Sequence, residues 1–200
     1  MPKTFTEKER QYIKQRLMEE AESCLVQYGV KKTTVDELVR RVNIPKGTFY
    51  LFYESKELLF FEVFCTFHDH IQKEMLEQLN EIKQNATAKS VTELIFRLYK
   101  KVDQSFLYPF LTNGDLELVM RKLPERLIKE HSEKDDFSME RLLEQLPGIK
   151  ETDVRLFSAA LRAVFTTMLH KREIGEDSYE DVLKLMIYGI VFQLFKEESR

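Results

Sequence analysis

Residues 33–59 read TTVDELVRRVNIPKGTFYLFYESKELL, and this stretch decides the fold. Thr34-x-x-Glu37 has the spacing of a helix cap, and Val35, Leu38, Val39 and Val42 follow at helical intervals. The helix must stop near Asn43, a residue that enters the left-handed conformation at low cost. Pro45 then suits the start of a further helix, where its missing N–H costs nothing. That helix, about PKGTFYLF, is short, because Ser55 has the character of the next N-cap. Two short helices joined by a tight turn form a helix-turn-helix.

The residues after the turn are unlike those of a helix made only to fill a core. Leu38, Val42, Ile44 and Phe49 supply the apolar side that holds the unit on a preceding helix. Lys46, Gly47, Thr48 and Tyr50 are left as candidates for an exposed surface. A helix amino terminus favours anions through its N–H groups and dipole. Lys46 adds charge, Gly47 permits close approach, and the hydroxyls of Thr48 and Tyr50 suit phosphate or base edges. Thr34 and Lys56, at neighbouring helix starts, are placed to clamp phosphates on either side.

Outward from this stretch the pattern stays helical. Thr6-x-x-Glu9 opens a first helix carrying Ile13, Leu17, Ala21 and Leu25, which should stop at Gly29. A fourth helix over about 56–83 bears Phe60, Phe64, Phe67, Ile71, Met75 and Leu79. After a loop at 84–90, a fifth carries Leu94, Leu98 and Val102. Polar joints are expected at 131–138 and at Pro147-Gly148. Two long helices, about 152–171 and 179–196, close the chain, the last behind an Asp177-x-x-Glu180 box. The prediction is an all-α chain of about nine helices, with a helix-turn-helix domain over 1–56 joined by a long helix to a helical bundle over 57–200.

Composition agrees. The chain has 200 residues, 43% of them hydrophobic, with 6 Gly and 5 Pro. Its net charge is −3, yet residues 1–56 hold 11 Lys and Arg against 8 Asp and Glu. A mildly basic front on an acidic body directs only the front toward an anion. Cys24 and Cys65 lie among apolar neighbours and read as buried thiols. The opening MPKTFTEKER lacks the apolar core expected of a signal peptide, and the longest apolar run, LMIYGIVF at 185–192, is far short of the ~20 residues that span a bilayer. A cytoplasmic location is expected.

The motif resembles the TetR-type bacterial transcriptional regulators. The resemblance rests on Thr33-Thr34, Leu38-Val39, Val42-Asn43-Ile44, Lys46-Gly47-Thr48-Phe49-Tyr50, Phe52-Tyr53 and Ser55-Lys56-Glu57, and covers about residues 10–65. Val39 stands where a small Ala is usual, Asn43 where Gly is, and Pro45 where a small polar residue is common. The resemblance implies double-stranded operator DNA as partner, with a palindromic site read by a homodimer. It places DNA contacts at Thr34, Pro45, Lys46, Gly47, Thr48, Phe49, Tyr50 and Lys56. It further implies repression relieved by an unidentified small molecule, whose binding tilts the fourth helix. A pocket lined by Phe64, Phe67, Phe96, Tyr99, Phe106, Tyr108, Phe110 and Phe165 would take an apolar or aromatic effector. The dimer surface is expected on the last two long helices, through Ala159, Ala160, Ala163, Val164, Met168, Val182, Met186, Gly189 and Ile190.

Other classes fare worse. The sequence has no Gly-rich phosphate loop, nucleophile elbow or paired-His zinc motif. None of its four His completes a Glu-x-x-His pair. We therefore expect no catalytic residues, metal or cofactor. A helical carrier or adaptor without DNA binding is the alternative; it would have no need of Lys46, Gly47, Thr48, Tyr50 and Lys56 together.

Overall fold

The structure is a computed structural model that describes residues 5–146 and 151–196. Eleven α-helices and no strand occur among the described residues. They form two compact units, one of residues 1–67 and 106–128, the other of 68–105 and 129–200. The expected division at residue 56 follows the motif, whereas compactness also draws a later stretch into the first unit.

In the first unit, α1 (Glu7–Lys32) opens with the predicted reciprocal box between Thr6 and Glu9. Its buried stripe is Ile13, Leu17, Ala21, Cys24 and Leu25. Gly29 interrupts it at φ 71°, ψ −179°, a region that is essentially glycine-only. Next come α2 (Val35–Val42), which packs on α1, and α3 (Lys46–Phe49), which packs on α2; Leu38 and Phe49 are each fully buried. The first part of α4 (Lys56–Ile82) adds buried Leu59 and Phe60. α6 (Leu107–Thr112) and α7 (Asp115–Met120) return to pack on α1.

One buried joint fixes the end of α1. The Val30 N–H donates to Asp115 Oδ2 at 3.0 Å, and the Thr33 hydroxyl donates to the Gly29 carbonyl at 2.8 Å. The Lys56 ammonium donates to the carbonyls of Val30 and Thr33 at 2.6 and 2.5 Å. Backbone groups left open by the broken helix thus find partners from α7, from α4 and from the residue that caps α1, as buried polar groups require.

The second unit contains the rest of α4, α5 (Ala88–Asp103), most of α8 (Glu125–Glu144), α9 (Glu151–Thr167), α10 (Lys171–Ile174) and α11 (Tyr179–Lys196). α11 lies along α5 and α9. Leu94, Ile95, Leu161, Leu183, Ile187 and Val191 form its buried seam. Lys184 pairs with Glu93 at 2.5 Å and Lys171 with Asp103 at 2.7 Å along the edges.

Several expected boundaries shift. α5 starts at Ala88 behind a Thr87–Ser90 box, earlier than expected. The polar run 131–138 is helical inside α8, because polarity without Gly or Pro does not stop a helix. α9 ends at Thr167 and passes into a 3₁₀ turn over Met168–His170. A turn at Glu176–Ser178 stands where the Asp177 box was expected. Residues 1–4 and the Pro147-Gly148 joint lie outside the described residues.

Candidate nucleic-acid interface and effector cavity

The helix-turn-helix is locally determined. The Thr34 hydroxyl accepts from the Glu37 N–H at 3.2 Å and caps α2. Glu37 turns away from the cap to hold Arg41 at 2.7 Å and Arg40 at 2.7 Å. α2 ends as Asn43 adopts φ 59°, ψ 49°, with its N–H bonded back to the Arg40 carbonyl. Pro45, extended at φ −62° and ψ 146°, serves as N-cap of α3 rather than its first residue.

α3 sorts its side chains by depth. Pro45, Lys46, Gly47 and Tyr50 are exposed, Tyr50 by 50%. Thr48 is buried, and Phe49 is fully enclosed with Tyr53 tilted against it at 5.9 Å. Of the eight residues expected to meet DNA, Thr34, Pro45, Lys46, Gly47 and Tyr50 thus share the outer surface. Three stand otherwise. Phe49 belongs to the core because one short helix must anchor itself by its bulkiest residue. Thr48 faces inward beside it. Lys56 points to the end of α1, where burial lowers the pKa of its ammonium. No Cβ at Gly47 would meet another atom within 4 Å, so the space outside it is open.

Lys46 carries a partner that the sequence did not suggest. Its ammonium donates to Asp36 Oδ2 at 3.0 Å, and this hydrogen bond raises the lysine pKa. The two lie ten positions apart on different helices, a juxtaposition visible only once the turn is closed.

The second unit bears a partly open cavity of about 330 Å³. α4 contributes His68, Ile71, Gln72 and Met75, and α5 contributes Ile95, Leu98, Tyr99 and Val102. α8 adds Met139, while α9 adds Arg162, Phe165 and Thr166. Of the aromatic residues expected to line a pocket, Tyr99 and Phe165 do so, edge to face at 5.3 Å. Tyr99 donates its hydroxyl proton to the Leu161 carbonyl at 2.7 Å, and burial raises its pKa. Phe64, Phe67, Phe106 and Phe110 pack on one another in the first unit, where Tyr108 also lies. Phe96 lies under the Lys184 ammonium at 5.3 Å. Sequence reasoning overlooked Arg162, His68 and Gln72 because a polar residue in an amphipathic helix ordinarily reads as surface.

The closing helices present a third feature. Ala159, Ala163 and Gly189 are exposed, Ala160, Val182, Met186 and Ile190 half-buried, and Val164 and Met168 buried within the unit. Beside them lie large exposed apolar side chains, Leu156 at 68% and Leu185 at 71%, and the stacked pair Tyr188 and Phe192.

Three comparisons agree with this geometry. A short helix on a capped partner, joined through Asn43, Ile44 and Pro45, defines a helix-turn-helix protein. Residues 17–63 match the family described as bacterial regulatory proteins, tetR family. The amino-terminal module of the chain is thus similar to that of the TetR family. An uncharacterized HTH-type transcriptional regulator of Bacillus subtilis (strain 168), YhgD, is 30% identical over 107 residues, 52% of this chain and 54% of that protein. The chain thus spans about half the length of YhgD. A second from the same organism, YdgC, is 28% identical over 193 residues, 89% of this chain and 92% of its own.

Among solved structures, one assigned to the TetR family from Mesorhizobium loti MAFF303099 aligns with TM-score 0.70 and 15% identity, covering 90% of this chain and 96% of that one. The Bacillus subtilis transcriptional regulator FadR, in complex with stearoyl-CoA, aligns with TM-score 0.60 and 15% identity, covering 89% and 97%. Among the described residues, no helix is long and apolar enough to cross a membrane, and no cluster of three or more His, Cys, Asp or Glu is placed to hold a metal.

Proposed function

We propose that this protein is a DNA-binding transcriptional repressor that reads a palindromic operator as a homodimer in the cytoplasm and releases it when a small, largely apolar effector enters the second unit. The observation that carries the reading is the split character of α3. Lys46, Gly47 and Tyr50 stand outward on a backbone pinned by Phe49, which suits a surface for phosphates and base edges. One such turn reads few base pairs, so useful specificity calls for two copies. The exposed Leu156, Leu185, Tyr188 and Phe192 support a self-complementary contact between copies. The cavity supports an effector: its size lies at the lower end of the ~300–1,000 Å³ common for small-molecule sites. FadR, similar in fold, is a regulator seen with a bound acyl-CoA. Release requires only that the effector prefer the conformation that binds DNA poorly.

The test is selection of duplexes from a random pool by the purified protein, followed by affinity at two salt concentrations. A palindrome bound far more tightly than scrambled duplex, with affinity falling steeply as salt rises, is expected. Tyr50→Ala and Lys46→Ala should each weaken operator binding by about tenfold while leaving helicity and assembly unchanged. The absence of any enriched sequence, or unaltered affinity in both variants, would refute the reading.

A further inference from the structure

Arg10 stands in the opening turn of α1, exposed, with its guanidinium carbon over the Phe52 ring at 5.1 Å from the ring centre. Phe52, half-buried, belongs to the turn that leaves α3. Its N–H donates to the Phe49 carbonyl at 2.9 Å, and the Leu51 N–H donates to that of Thr48 at 3.1 Å. The ring thus stands two residues beyond exposed Tyr50, where α3 gives way to the following segment. The cations closest to α3 in sequence are already engaged. Glu37 holds Arg40 and Arg41, Asp36 holds Lys46, and the carbonyls of Val30 and Thr33 hold Lys56. On α1, Lys14 pairs with Glu62, and Arg16 with Glu19 and Glu20. Arg10 differs: among the described residues its guanidinium pairs with no carboxylate. Its acidic neighbours are turned to other groups, Glu7 accepting from Gln11 at 3.4 Å and Glu9 from the Thr6 N–H at 2.8 Å.

We propose that Arg10 grips a phosphodiester of the DNA backbone, extending the contact made by α3 onto α1. The inference rests on reading α3 as the DNA surface and adds to it a residue from a different helix. An exposed cation alone is ordinarily only solvated, and here the ring makes the difference. Its negative face attracts the guanidinium and restricts a long side chain that would otherwise sample many rotamers. The N–H donors lie in the guanidinium plane, so contact through its face leaves them for two phosphate oxygens. Phosphate, unlike a base edge, is met in every sequence. Arg10 therefore adds affinity and register and leaves the choice of sequence to α3.

The decisive experiment is the salt dependence of binding by the full chain, measured on the operator recovered by selection and on a random-sequence duplex. Arg10→Gln should weaken binding of both equally, by about tenfold at low salt. It should also lower the slope of log affinity against log salt by about 0.9 for each bound copy. The selected sequence should stay the same. Arg10→Lys, which keeps the charge, should keep the slope and recover part of the affinity. Phe52→Leu, apolar but without the ring, should cost affinity in the wild-type background and nothing further beside Arg10→Gln. Unaltered affinity and slope in Arg10→Gln would overturn the assignment, and so would a loss confined to the operator, which marks a base contact. Lys46→Ala and Tyr50→Ala judge α3 separately. Weakened binding in those variants beside a neutral Arg10→Gln removes this inference alone, whereas wild-type protein that prefers no duplex removes both readings. If Arg10→Gln loses helicity, wild-type affinity in Phe52→Leu still overturns the proposal.

Discussion

Gly29 is held where a side chain meets two obstacles. Its φ of 71° with ψ near 180° strains any other residue, and an added Cβ would lie 2.6 Å from Asp115 Oδ2. Gly29→Ala should therefore also displace the carboxylate that satisfies the buried Val30 N–H. A loss of about 2–4 kcal/mol is expected in urea unfolding, combining backbone strain with an unsatisfied donor. In a double-mutant cycle with Asp115→Ala, the two losses should be clearly less than additive, because removing the carboxylate relieves the clash. The sequence marked Gly29 as a helix stop, since glycine after an apolar periodic run is a local signal. Its partner Asp115, 85 residues on, left no local trace. Lys56 shows the same limit: a lysine at a helix start suggests phosphate, and the carbonyls of Val30 and Thr33 beside it left no local trace either.

Among the elements, the beginning of α4 is tied electrostatically to the segment after α7. Glu57, buried, accepts from Lys122 Nζ at 2.7 Å. Burial by itself would raise the Glu57 pKa, but the hydrogen bond from Lys122 and one from the backbone outweigh it, leaving the pKa below its ordinary 4.5. A carboxyl that is more acidic when folded stabilises fully above its unfolded pKa and loses that contribution as pH falls through the folded value. Stability should thus decline below about pH 4.5 partly through this pair. Comparing urea midpoints at pH 7 and pH 4, Glu57→Gln should show a smaller decline than wild type, and an identical decline would refute the assignment. Element types were legible in the sequence wherever caps and periodicity agreed, as at Thr6, Thr34, Asn43 and Ser55. They were less so where termination depends on competition within the helix. Thr166 and Thr167 donate to the carbonyls of Ala163 and Val164, each at 2.7 Å, and tighten the end of α9 where no Gly or Pro gave warning.

At the scale of the molecule, the division into units was only partly legible. Residues 106–128 belong with the amino-terminal helices despite their place in the chain, and periodicity carries no information on such a return. The closing helices show a related limit. The sequence pointed to small residues with Val164, Met168, Val182, Met186 and Ile190 beside them for a contact between copies, whereas the largest exposed apolar side chains there are Leu156, Leu185, Tyr188 and Phe192. In a twofold assembly every substitution acts twice. Leu185→Arg should therefore convert a dimer at micromolar concentration into monomer in sedimentation, with helicity preserved. A wild-type monomer under those conditions would remove the basis for a palindromic site.

The depth ordering along α3 also bears on how such a protein can diverge. Thr48 and Phe49 answer to the packed interior, whereas Lys46, Gly47 and Tyr50, on either side of them along the same turn, face outward, with Lys46 bonded at the surface to Asp36. If α3 reads DNA as proposed, substitutions at the outward positions alter what is recognised while leaving the fold nearly untouched, and those at the inward ones forfeit both together. A lineage, or an engineer seeking a new target sequence, is thus free at three positions of a single helical turn and bound at the two between them.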